Sequence, residues 1–85
     1  MTSIEKENLL THLHNIESDI NYKIQEAIRY ANSKSFFVAN AASIASDLAC
    51  LHERQRAICY TLRMLGYYVV YENEHATDIV ANKEE

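Results

Sequence analysis

The fold of this chain is decided by the stretch Phe37–Leu65, which reads FVANAASIASDLACLHERQRAICYTLRML. Alternating steps of four and three residues along it meet an apolar side chain at every position except Gln55. This spacing is typical of a coiled-coil-like helix that packs against other helices along its whole length. We call these positions the seam: Phe37, Ala41, Ile44, Leu48, Leu51, Gln55, Ile58, Leu62 and Leu65.

A second helical pattern precedes the seam. Apolar residues recur at helical spacing over residues 9–31, and Thr2-Ser3-Ile4-Glu5 has the form of an N-terminal capping box. Asn15 or Ser18 is an alternative cap that would start a separate helix. The apolar stripe keeps its phase across these residues, which favours one continuous helix.

A polar connection separates the two patterns. Residues 32–35 read NSKS, and three of the four are common in caps and turns. Ser35 or Ser33 is the expected cap of the second helix, and Asn40 is an alternative that would leave residues 36–38 extended. Two helices of similar length with a short connection form an antiparallel helical hairpin, which we predict over residues 3–31 and 35–65.

The sequence changes character after Gly66, which is expected to end the second helix. Tyr67–Tyr71 is rich in aromatic and β-branched residues, and Ala76–Ala81 is a weaker strand candidate beyond a polar turn. An isolated two-stranded hairpin is barely stable in water, so it must lie on the helices or pair with another chain. We predict a mainly α protein with one domain, 1–85: a helical hairpin (1–66), a β-hairpin (67–82, with strands within 67–81) and a solvated tail (83–85).

Composition argues against several classes of protein. The 85 residues include one glycine and no proline and carry a net charge of −4. A negative charge disfavours binding to nucleic acids and to anionic membranes. No run of 18 apolar residues could span a bilayer, and no signal-peptide core follows the acidic N-terminal residues. We therefore expect a cytoplasmic protein that does not bind membranes.

Candidate ligands and nucleophiles are scattered along the chain. His12 and His14 are two residues apart and point to different sides of a helix. His52-Glu53 begins like a zincin motif, but position 56 is arginine where the second histidine is required. Cys50 and Cys59 point in opposite directions on one helix, and we interpret both as structural thiols. We therefore predict no catalytic residue, no metal site and no cofactor.

Tyrosine is the most informative residue type near the C-terminus, since three of the six tyrosines lie in one predicted strand. If Tyr68 and Val70 face the helices, then Tyr67, Val69 and Tyr71 face away from them. These side chains would then be covered by a second subunit or would bind another partner. The alternative is that the chain's own helices bury both sides of the strand. The residues that we predict to bind a partner are Tyr67, Tyr68, Tyr71, Arg56 and Arg63.

The second helix is apolar over an arc too wide for one partner helix to cover. We therefore predict a homodimer or higher oligomer that forms a helical bundle. Gln55, as the one polar residue of the seam, would fix the register of that assembly. The predicted oligomer seam consists of Phe37, Ile44, Leu48, Leu51, Gln55, Ile58 and Leu62.

These patterns lead to one functional hypothesis and two alternatives. The hypothesis is a small non-catalytic protein-interaction module that works as an oligomeric bundle and acts as an adaptor, regulator or inhibitor of another macromolecule. The first alternative is a nucleic-acid-associated regulator that uses Arg54, Arg56 and Arg63 with the tyrosines. The second is a bundle that binds a small ligand. The expected partners are a second copy of the chain and another protein.

Overall fold

The chain folds into a helical hairpin followed by a β-hairpin. The computed structural model describes residues 1–32 and 38–81, with residues 38–40 described by backbone only. Helix α1 spans Ser3–Ala31 and helix α2 spans Val38–Met64. Strands β1 (Tyr67–Glu72) and β2 (His75–Ala81) form a two-stranded antiparallel sheet. The predicted fold class, mainly α with a C-terminal β-hairpin, is confirmed.

Helix α1 begins at the predicted capping box. The Thr2 hydroxyl accepts a hydrogen bond from the Glu5 backbone N–H at 3.1 Å, and the Glu5 carboxylate accepts one from the Thr2 N–H at 2.9 Å. The bond from the Thr2 N–H to the carboxylate, and then the Thr2 side chain, lower the pKa of Glu5, since they favour its ionised form. The helix continues through residues 14–19 without a break, so the prediction of a single helix is confirmed there.

Helix α2 begins before Asn40 and ends just before Gly66. The backbone is already helical at Val38, so the alternative start at Asn40 is wrong. The caps predicted at Ser33 and Ser35 lie outside the described residues. Gly66 has a φ of +90° and donates its N–H to the Arg63 carbonyl, as expected of a glycine that ends a helix.

The β-hairpin turns at Asn73 and Glu74, a shorter turn than the sequence predicts. Both residues have positive φ angles, 52° and 66°, which is the geometry of a two-residue type I′ turn. Val70 is opposite Asp78 and Tyr71 is opposite Ala76, so Thr77 is an extra residue that forms a β-bulge. Because of this bulge, two residues three positions apart, Ala76 and Ile79, are both buried.

The sheet packs on the helices with the side that carries Val69. The side considered from the sequence is the other one, which carries Tyr68 and Val70. Val69 is paired with Ile79, which is only 1% exposed, so this pair faces the helices. Tyr67 and Tyr71 lie on the same side as Val69 because side chains alternate along β1, and the bulge brings Ala76, the partner of Tyr71, to that side as well. Tyr68 points outward and is 47% exposed.

The core lies between the helix pair and the inner side of the sheet. In the seam, Ile44, Leu51 and Leu62 are buried, while Leu48, Gln55 and Ile58 are half-buried, all within a single chain. Phe37 lies outside the described residues. Within the described part of the chain, the buried apolar side chains are Leu13, Ile44, Leu51, Leu62, Ala76 and Ile79.

The molecule is elongated, and it exposes more surface than a compact protein of its mass. It measures 55 × 19 × 18 Å, with a radius of gyration of 16.1 Å, whereas a compact domain of this length has about 12 Å. Its accessible surface is 6502 Å², and the size scaling for compact monomers gives about 5,200 Å² at this mass. A single chain therefore leaves about 1,300 Å² more surface exposed than compact packing would.

Candidate functional site

The junction between α1 and β2 brings together polar groups that are far apart in the sequence. His14 and Glu17 are three residues apart and share one side of α1. The Glu17 carboxylate accepts a hydrogen bond from the Ala76 N–H at 2.9 Å, and His14 Nε2 lies 2.7 Å from the Ala76 carbonyl oxygen. Because a carbonyl can only accept, His14 Nε2 carries the proton of this bond. The two side chains thereby cover the outer edge of β2 at Ala76.

His75 completes a three-residue cluster at this junction. Its Nδ1 atom lies 2.7 Å from Oε1 of Glu17. Its ring stacks on that of His14, with 4.3 Å between the centroids and 14° between the planes. The Glu17 side chain is 14% exposed, whereas that of His75 is 57% exposed. The cluster therefore joins two residues of α1 to a more accessible residue of the hairpin.

One oxygen of Glu17 is poorly satisfied in this arrangement. Oε1 is inaccessible to solvent and finds no aligned hydrogen-bond donor among the described residues, although His75 Nδ1 is close to it. Such a buried acceptor costs about 1–3 kcal/mol when it is left unpaired. The cluster also borders an open groove of 840 Å³, whose other lining residues are Ile20, Asn21, Ile24, His52, Gln55, Tyr71, Asn73 and Glu74.

The sequence contained half of the signal for this cluster. His14 and Glu17 have the i, i+3 spacing that places two side chains side by side on a helix. His12, the histidine nearest to His14 in the sequence, points to a different side of the helix, and His75 falls in the polar turn predicted between the two strands. His75 joins the other two only because β2 lies along α1, and this placement depends on the docking of the hairpin.

The predicted partner-binding tyrosines have different environments. The Tyr67 hydroxyl accepts a hydrogen bond from the Met1 amine at 2.9 Å. The Tyr71 hydroxyl lies 3.3 Å from the Cys59 thiol. Burial, and then this thiol, raises the pKa of Tyr71, so its hydroxyl is protonated at neutral pH. Tyr68 is the most exposed of the three, whereas the hydroxyls of the other two contact Met1 and the α2 residue Cys59.

The two arginines that are predicted to bind a partner, Arg56 and Arg63, lie at the surface of α2. Arg56 Nη1 is 3.4 Å from the Glu53 carboxylate, one turn away, and both side chains are more than 70% exposed. Ion pairs as exposed as this one contribute little to stability. Arg63 is exposed in the last turn of α2, where a cation complements the helix dipole.

A second groove lies between the two helices and is mostly apolar. It has a volume of 400 Å³. Ala57 and Thr61 lie two residues before and after Cys59, and are therefore about 160° around α2 from that thiol, which contacts the β-hairpin. The groove is thus on the side of the helix pair that the sheet leaves uncovered. We call this side the open face; its residues are Met1, Glu5, Leu9, Ala57, Ile58, Thr61, Leu62 and Leu65.

Comparisons with known proteins give no relative. No family model matches the chain, and no significant match was found among curated proteins or solved structures. Within residues 1–32 and 38–81, neither helix combines the length and the apolar character that crossing a membrane requires.

Proposed function

We propose that this protein is a small non-catalytic interaction module that works as an oligomeric helical bundle. A second copy of the chain would pack on the open face, helix pair against helix pair. The observation that carries the proposal is the apolar groove on this face. Leu65 is 68% exposed there, beside the half-buried Leu9 and Ile58. A two-layer arrangement of helices and sheet leaves such a face uncovered in a single chain.

The exposed area supports self-association. The excess of about 1,300 Å² over a compact monomer exceeds the roughly 800 Å² that each partner contributes to a standard interface. The buried seam residues Ile44, Leu51 and Leu62 already pack inside one chain. The proposed interface therefore differs from the seam and lies on the open face, where Ile58, Leu62 and Leu65 are the seam residues that line the groove.

The proposed assembly leaves another surface for a different macromolecule. Tyr68, Arg56 and Arg63 are exposed and are not among the groove residues of the open face. Tyrosine and arginine are enriched at protein interfaces. We propose that an adaptor, regulator or inhibitor of this kind would bind its partner protein there.

A charge placed in the groove tests the proposed interface. Ala57→Glu would bury a carboxylate against the apolar groove of the second copy, which costs several kcal/mol if no cation pairs with it. Sedimentation equilibrium and light scattering should show a dimer for the natural sequence. The variant should raise the dimer dissociation constant by at least about tenfold, since 1.4 kcal/mol corresponds to a factor of ten.

Ala49→Glu is the matched control, because Ala49 is also an exposed alanine of α2 but lies outside the groove. It should leave the dissociation constant unchanged. A natural chain that stays monomeric at micromolar concentration would refute self-association. Disruption by Ala49→Glu but not by Ala57→Glu would show that the open face is the wrong interface.

A further inference from the structure

We propose that His14, Glu17 and His75 form a binding site for a divalent transition-metal ion, with Zn²⁺ as the reference ion. This site is independent of the proposed self-association, since none of the three residues lines the groove of the open face. One ligand atom from each residue lies within 4.8 Å of the other two. The three come from two elements, α1 and β2, so a bound ion would join the hairpin to the helix.

The donor set suits this class of metal. Two imidazole nitrogens and one carboxylate oxygen are ligands for zinc, and imidazole also suits copper and nickel. Magnesium and calcium prefer oxygen ligands alone, so the two histidines disfavour them. In a tetrahedral zinc site with bonds of about 2.0 Å, neighbouring ligand atoms are about 3.3 Å apart. Glu17 Oε1 and His75 Nδ1 are already 2.7 Å apart, and no separation between the ligand atoms exceeds 4.8 Å, so each would change by at most about 1.5 Å.

The surroundings of His14 resemble those of a histidine ligand. Metal-bound histidines usually donate their other ring N–H to a backbone carbonyl or a carboxylate, which fixes the ring and the tautomer. His14 Nε2 makes such a bond to the Ala76 carbonyl at 2.7 Å. In the neutral ring this leaves the Nδ1 lone pair available. The helix and the strand thus hold this ligand in one orientation without a metal.

Glu17 supplies a second, independent observation. Its Oε2 atom is occupied by the Ala76 N–H, while the buried Oε1 has no aligned donor among the described residues. A cation at Oε1 would satisfy the buried oxygen and would take the place of its 2.7 Å contact with His75 Nδ1. The unsatisfied atom is thus the one that faces the proposed site.

His75 is the ligand that has to move. Its ring is stacked nearly parallel to that of His14, so the in-plane lone pairs of the two rings do not converge as they stand. The side chain is 57% exposed and can rotate at the mouth of the 840 Å³ groove, which it helps to line. A fourth coordination position would face this groove and take a water molecule, as in three-ligand zinc sites.

The experiment is a titration of the full chain, without a polyhistidine tag, with Zn²⁺ against a chromophoric chelator. We expect one ion per chain and a rise in melting temperature that a strong chelator reverses, because an ion that binds only the folded state stabilises it. His75→Ala and Glu17→Gln should each weaken binding by at least about tenfold. His75 is exposed, and glutamine can still accept the Ala76 N–H, so both variants should fold.

His12→Ala is the matched control, since His12 is an exposed histidine of the same helix and lies outside the cluster. It should bind Zn²⁺ as the natural chain does. Cobalt substitution distinguishes metal binding at the cluster from metal binding at the two free thiols, Cys50 and Cys59. A thiolate-to-cobalt charge-transfer band would place the metal at a cysteine and overturn the proposal. Equal affinity in the natural chain and His75→Ala, or no binding at micromolar Zn²⁺, would overturn it as well.

Discussion

Replacing Ile79 by alanine should detach the β-hairpin from the helices. Ile79 is 1% exposed and faces the helix pair from the centre of β2, where it is paired with Val69. Truncating a buried isoleucine to alanine costs about 2–5 kcal/mol, from lost burial and from the cavity left behind. A domain of 85 residues has a total stability of about 4–13 kcal/mol. The stability lost in Ile79→Ala is therefore a large share of the total free energy of unfolding.

Ile4→Ala is the matched comparison. It makes the same chemical change in α1, but Ile4 is 71% exposed. Exposed substitutions usually change stability by no more than about 0.5 kcal/mol, and alanine is a slightly better helix former than isoleucine. Ile4→Ala should therefore unfold at nearly the same urea concentration as the natural chain, while Ile79→Ala unfolds at a much lower one.

The assay follows urea unfolding with two probes at one protein concentration. Circular dichroism reports mainly on the helices, whereas half of the tyrosine fluorescence comes from β1, which holds three of the six tyrosines. In Ile79→Ala the fluorescence transition should come first, since a two-stranded hairpin is barely stable away from the helices. If Ile79→Ala costs no more than Ile4→Ala, the sheet does not dock through this residue and the described core is wrong.

Two further predictions concern the hairpin. Glu74→Gly should stabilise the protein by about 1 kcal/mol, because glycine adopts a positive φ without the steric cost that Glu74 bears; a lower urea midpoint would contradict this. The Ile79 N–H, and then Lys6 at 3.2 Å, lower the pKa of Asp78 from its ordinary 3.8. This group stabilises the fold above pH 3.8 and loses that effect as the pH falls through its lowered pKa. The stability lost in Asp78→Asn should therefore be steady near neutral pH and shrink in acid, and a gap that widens in acid would contradict the assignment.

The helices could be predicted because their signals are local. The capping box at Thr2 and Glu5, the unbroken apolar phase across residues 14–19 and the single glycine at position 66 each involve neighbours in the sequence. Helix periodicity also identified the apolar positions of α2 that become buried. Whether these positions pack inside one chain or between chains depends on how much of their surface α1 and the hairpin cover, and periodicity carries no information about that.

The hairpin was predicted with less detail because its decisive features leave weak traces in the sequence. The turn uses Asn73-Glu74, without the glycine that usually marks a type I′ turn. The bulge at Thr77 has no characteristic residue, yet it changes which side chains of β2 face inward. In β1, alternation separates two sides but does not tell which of them meets the helices.

The cluster of His14, Glu17 and His75 was beyond prediction for a related reason. Residues 17 and 75 are separated by 58 positions, and their contact depends on the position along α1 at which the hairpin packs. The hydrogen bonds of Ala76 to His14 and Glu17 fix that position. No pattern within α1 or within β2 contains this information.

The bulge at Thr77 means that β2 can lose one residue without changing which of its residues face the helices. In an antiparallel strand, successive residues alternate both in the face of the side chain and in the edge to which the N–H and C=O point. Deleting Thr77 would remove the bulge and leave Ala76 opposite Tyr71, two positions from Ile79 and on the same face and edge as that residue. The loss of a second residue between Ala76 and Ile79 would instead place these two on opposite faces and turn the backbone groups of Ala76 away from His14 and Glu17. An alignment of related chains should therefore show gaps of one residue here and none of two.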